Sequence, residues 1–129
     1  RGCSHGCIYY DSRSKCYNMK HAFEDIEVKE NAIALLNVKN VWLVQATITE
    51  PYIPLEMEID NVRKALHLIY EQGFGFTVIT KSNRILRDLD LLQKIDKKTK
   101  CVVQMTLTIY DEDLCRKIEP NVSTTIECF

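Results

Sequence analysis

Cys3 and Cys7 stand four residues apart on a loop that also carries His5 and Gly6. Thiolates at that spacing can turn toward one metal centre, and iron–sulfur clusters take such ligands from a single short loop. A three-thiolate loop leaves one iron open to a small-molecule ligand. The place expected for the third thiolate holds Tyr10. A phenol, with a pKa near 10, is a poor ligand for low-potential iron–sulfur iron. Cys16 is the available substitute. Zinc is the other chemistry that these donors allow. Cys3, His5, Cys7 and Cys16 (or His21) are the right types for a tetrahedral site, although their spacing matches no zinc ribbon or finger.

The remaining reactive side chains invite plainer readings. Cys101, Cys115 and Cys128 are scattered along the chain, as buried small hydrophobes usually are. His5 is expected either to donate to a metal ligand or to be a solvated loop residue, and His21 to be exposed. His67 lies off the apolar stripe of its helix and belongs on the surface. Glu56 and Glu58 fall in a first helical turn, where the helix dipole alone accounts for them. Tyr9, Tyr10 and Tyr17 could stack on bases, but no basic groove accompanies them. Arg1, Arg13, Lys15 and Lys20 face only Asp11 across the first stretch, which reads as a cationic surface loop.

A chain of 129 residues with net charge −1 is one domain or part of one, and forces no polyanion partner. Its 46% hydrophobic and 27% charged residues are ordinary for a globular protein. No run approaches the roughly 18 apolar residues of a membrane helix, and no secretion signal opens the chain. A cytoplasmic location is expected. The sequence begins Arg-Gly-Cys without a methionine, which suggests that something upstream is missing.

These residues need elements to position them. Residues 31–36 suggest a short helix, with Ala32, Leu35 and Leu36 on its apolar side. Val41–Thr49 reads as a strand, and Glu50-Pro51-Tyr52-Ile53-Pro54 as an extended loop. Leu55–Gln72 is the clearest helix, with Ile59, Val62, Leu66 and Ile69 on one face and Gly73 as a left-handed cap. Phe76–Thr80 is a short apolar strand, expected to be buried on both faces. Ser82 can cap a helix through Ile85, Leu86, Leu89, Leu92 and Ile95. Cys101–Tyr110 is the next strand, and a helix from Asp111 is interrupted by Pro120. Such alternation implies a parallel α/β sheet, doubly wound or barrel-like.

Cys3-x3-Cys7-x2-Tyr10 resembles the Cys-x3-Cys-x2-Cys loop of radical S-adenosylmethionine (radical SAM) enzymes. The segment from Arg1 to Ser14 is similar to the subgroup that contains spore photoproduct lyase-like proteins. Further similar segments follow in order: Pro51 to Glu56, Thr80-Lys81-Ser82, Ile85 to Asp88, Tyr110 to Glu112, and Ile118 to Thr124. Together they span almost the whole chain.

The resemblance implies an incomplete parallel β/α barrel, a fragment of the radical SAM partial barrel. It also implies a 4Fe–4S cluster and S-adenosylmethionine as cofactors, with cleavage to a 5′-deoxyadenosyl radical. Cys3 and Cys7 would be cluster ligands, with Tyr10 at the third position. Tyr9, Glu50, Thr80, Lys81 and Ser82 would lie against the cofactor. Damaged DNA is the substrate that the family suggests. Departures accompany the match: Tyr10 for cysteine, Glu50 for aspartate, Val44 and Ala46 for glycines, and Cys128 for arginine. Six βαβ units need about 180 residues, so an open piece of barrel is expected. A larger parent chain or a homo-oligomer would then cover its strand edges. The competing class is a non-catalytic α/β module used for binding or assembly.

Overall fold

The computed structural model describes residues 3–9, 22–34, 43–46 (backbone course alone) and 50–128. Tyr10, Cys16, His21 and the end of the helix expected at 31–36 lie outside them, while 32–34 are helical. Strands β1 (Leu43–Ala46), β2 (Gly75–Thr80) and β3 (Cys101–Met105) form one parallel sheet in the order β1-β2-β3. Leu43 stands opposite Gly75, and Phe76 opposite Cys101. Parallel neighbours require crossovers. Helix α1 (Glu56–Ile59) and helix α2 (Asn61–Gln72) fill the first. A 3-10 segment (Asn83–Asp88) leading into α3 (Leu89–Lys98) fills the second. Helix α4 (Glu112–Ile118) and a 3-10 turn (Ile126–Cys128) follow β3.

Both crossover helices pack on one face of the sheet. Phe76 and Val78 alternate toward Leu66 and Ile69 of α2 and toward Leu91, Leu92 and Ile95 of α3, with Tyr52 and Ile85 completing the core. The opposite face of β2 is more open, and Ile79 is exposed there. This corrects the expectation of burial on both faces. Leu86 and Leu89 are likewise exposed, and Leu91 takes the place expected for them in the core. The first turns are 3-10, which rotates the stripe relative to an α-helix.

The helix expected over Leu55–Gln72 breaks at Asp60, which adopts left-handed φ 57°. Glu56 explains the break. Its buried side chain accepts from the Val62 N–H at 2.6 Å, and so serves the start of α2. Arg87 reaches the same carboxylate at 3.3 Å and the Glu56 carbonyl at 3.1 Å. The dipole explanation therefore fails for Glu56, a buried partner rather than a surface charge. At the other end Gly73, at φ 70°, closes α2 as expected. Its N–H donates to Tyr70 O, and the Phe74 N–H donates to Ile69 O, the paired bonds of a Schellman cap.

The strand expected over Cys101–Tyr110 stops at Met105. Its partner β2 ends at Thr80, and after Thr106 N–H donates to Thr80 O no ladder remains for residues 107–110 among those described. Cys101 is half-buried against the core and Cys115 is fully buried, as expected of scattered cysteines. His67 is exposed, also as expected.

Asp88 joins α2 to the second crossover. Fully buried, it takes Arg63 at 2.8 Å and Arg87 at 3.0 Å. The buried Tyr52 hydroxyl lies beside it without a formed bond, and burial with that neighbouring charge pushes the phenol well above its ordinary pKa. Removing one member of a buried ion cluster leaves the others uncompensated. Asp88→Ala is expected to cost about 3 kcal/mol in urea unfolding. Asp90→Ala, which cuts the more exposed Arg63 pair at 3.1 Å, should leave the unfolding midpoint nearly unchanged, because solvent screens such a pair. Equal costs would show that burial of Asp88 does not govern the cluster.

Candidate functional site

The cysteine loop lies against the chain that follows α4. Ile8 N–H donates to Ile118 O at 3.0 Å, Asn121 N–H to His5 O at 3.1 Å, and Asn121 Nδ2 to Ser4 O at 2.9 Å. Cys3 N–H donates to Phe23 O at 3.1 Å, and its side chain packs with Phe23 and Ile53. Gly6 has φ +72°, and a Cβ added there would meet Pro120 Cγ at 3.0 Å. Only glycine provides that conformation cheaply and lets the two backbones lie together.

Cys3 and Cys7 are both buried by this packing. His5 is buried as well, at 1% exposure, and its Nε2 has no hydrogen-bond partner. The solvated reading of His5 is thus corrected. Burial is the largest cause of its lowered pKa; Glu50 opposes that shift, while Arg84 and Lys81 add to it.

Glu119 is where the loop meets the sheet. Nearly fully buried, its Oε1 contacts the Lys81 ammonium and the Tyr9 hydroxyl, with Thr108 Oγ1 at 3.3 Å. The Cys7 thiol donates to Oε1 at 3.8 Å, and the Cys115 thiol to Oε2 at 4.0 Å. Lys81 Nζ also reaches Thr108 Oγ1 at 2.8 Å and the Tyr9 hydroxyl. Lys81 extends from the C-terminal end of β2, so the cluster sits at the mouth of the sheet. Burial raises the Glu119 pKa and lowers that of Lys81. Their contact offsets part of that burial cost. Burial first, and Glu119 second, push the Cys7 thiol up to about 11. A metal there would have to displace a tightly held proton.

The residues expected to touch a cofactor divide into two groups. Tyr9 and Lys81 converge on Glu119. Glu50, Thr80 and Ser82 spend their polar atoms within the chain. Glu50 accepts from Tyr52 N–H at 3.0 Å, Lys81 N–H at 2.8 Å and the Thr80 hydroxyl. Ser82, fully buried, accepts from Arg84 N–H at 3.3 Å, the expected cap. Glu119 and Thr108 were not expected in a site. Glu119 lies in the Ile118 to Thr124 segment, but nothing in its type or spacing marked its role, and Thr108 carries no signal at all.

No group of three His, Cys, Asp or Glu side chains is placed to hold a metal ion among the described residues. Cys3 and Cys7 supply two thiols, and Tyr10, Cys16 and His21 lie outside the description. The described donors therefore do not complete a cluster or zinc site.

No family model matches the chain, and no solved structure does. It is 28% identical over 123 residues to an uncharacterized protein of Methanocaldococcus jannaschii, covering 92% of this chain and 46% of that protein. It is 25% identical over 136 residues to an uncharacterized protein of Mycobacterium tuberculosis, covering 96% of this chain and 40% of that protein. The chain thus spans less than half the length of the curated relatives it matches.

The Lys81–Glu119 contact lends itself to a double-mutant cycle. Lys81→Met and Glu119→Gln are each expected to lower unfolding stability by about 2 kcal/mol, and the double variant by at least about 1 kcal/mol less than their sum. Strict additivity in denaturant titrations would mean that the two side chains do not depend on each other.

Proposed function

We propose that this chain is part of a radical SAM-like iron–sulfur protein, on a piece of β/α barrel, whose cluster loop does not support cleavage of S-adenosylmethionine in this form. The observation that carries the reading is the burial of both Cys3 and Cys7 on one loop, with Cys7 and Lys81 meeting the same Glu119 oxygen at the mouth of a parallel sheet. Enzymes on such sheets use that end. Winding that keeps both crossover helices on one face, with strands in consecutive order, supports a barrel piece over a doubly wound sheet. A 4Fe–4S cluster would supply the electron that cleaves the cofactor, and Cys3 and Cys7 would be two of its ligands. Damaged DNA as substrate rests on family analogy and belongs to the proposal in that sense only. A cytoplasmic site and a homo-oligomer covering the open β3 edge complete it; no helix among the described residues is long and apolar enough to cross a membrane.

The second reading is a non-catalytic α/β binding module. It is favoured by Glu119 and Lys81 satisfying each other at the site.

Anaerobic iron–sulfide reconstitution of the chain and of Tyr10→Cys separates the readings. The variant is expected to hold about four irons with a visible cluster spectrum, and the unaltered chain far fewer. A full cluster in the unaltered chain, perturbed by S-adenosylmethionine, would overturn the claim of impairment and point to Cys16. Failure of both to bind iron would remove the radical SAM reading and leave the binding module.

A further inference from the structure

Arg84 is the described arginine that meets no carboxylate. Arg63 pairs with Asp88 and Asp90, Arg87 with Glu56, Asp60 and Asp88, and Arg116 with Glu127. One arm of Arg84 is fixed, its Nη1 donating to the buried Ser82 hydroxyl at 3.0 Å. The rest of the fork has no partner among the described residues. A guanidinium cannot discharge itself by losing a proton, so a half-buried one calls for an anion or water.

Arg84 lines an open polar cavity of about 350 Å³, together with Asn83, Asn121, Ser123 and Glu127. Each of these has a defined capacity left over. Asn83 N–H donates to Ser123 Oγ at 2.9 Å, which leaves the Ser123 proton for an acceptor in the cavity. Asn121 spends its Nδ2 on Ser4 O and retains its carbonyl oxygen as an acceptor. Glu127 is oriented by Thr124 N–H at 2.8 Å and by Arg116 at 3.4 Å, and the Thr124 N–H is the main cause of its lowered pKa. It faces a ligand as an ionised acceptor. The cavity therefore pairs a cationic fork and a hydroxyl donor with two acceptors.

We propose that this cavity binds a small hydroxylated oxyanion, a sugar-phosphate-like or hydroxy-acid-like molecule, with its anionic group on Arg84 and Ser123 and its hydroxyls on Glu127 and Asn121. Arg84 matches either oxyanion because its planar fork binds phosphate and carboxylate alike. The site draws on none of the cysteine thiols, so it stands whether or not a cluster binds.

Isothermal titration of the full chain, without reconstitution, with glycerol 3-phosphate and with glycerate tests the site and distinguishes the two anions. Saturable binding of at least one is expected, weakened at least tenfold by Arg84→Met with the melting temperature unchanged. Ser123→Ala should weaken it roughly fivefold, the loss of one hydrogen bond, and serves as the test if Arg84→Met does not fold. No saturable binding of either ligand, or equal binding by the variants, would overturn the proposal.

Discussion

A carboxylate taken out of water must be answered by donors, and Glu119 makes that demand at a place where three separate parts of the chain meet. Its oxygens engage Lys81 from the end of β2, Tyr9 and Cys7 from the cysteine loop, and Cys115 from α4. Without Glu119 the Lys81–Tyr9 contact and the backbone bonds of the loop would remain, but no single group would join Lys81, Cys7 and Cys115. The position of the cysteine loop over the sheet thus depends on an ionic contact, reinforced by Gly6 lying flat on Pro120.

A second buried carboxylate plays the same part lower in the fold. Asp88 and Glu56 share Arg87, and Asp88 also holds Arg63. These links tie α1, α2 and the 3-10 segment around the apolar core of Leu66, Ile69, Val78 and Ile95. The core gives this layer its burial, and the ion cluster fixes where the crossover turns.

Much of the architecture was legible because it rests on local chemistry. The stripe of Leu66 and Ile69, the left-handed Gly73 and the Ser82 cap each depend on a few neighbouring residues, and sequence shows those directly. The break at Asp60 was not legible, because it is caused by Glu56 reaching forward to Val62 and across to Arg87, thirty-one residues away. Strand β3 stops early for a similar reason: its own sequence stays rich in β-branched and aromatic residues, but β2 provides no further partner. The site divides in the same way. Cys3, Cys7, Tyr9 and Lys81 carry types that invite attention. Glu119 and Thr108 become meaningful only when the fold brings them to Lys81. The solvated reading of His5 failed because a short glycine-containing loop gives no sign of what packs on it, while its neighbours in space exclude water.

The burial of Cys7 has a consequence for how the loop meets oxygen. Peroxide and related oxidants attack thiolate rather than thiol, and attack what they can reach. Cys7 has a thiol pKa near 11, 4% exposure and a carboxylate as its nearest partner, so it satisfies neither condition. The residue best placed for metal chemistry in this fold is therefore chemically quiet on its own. Burial and the neighbouring carboxylate both act against attack on its sulfur.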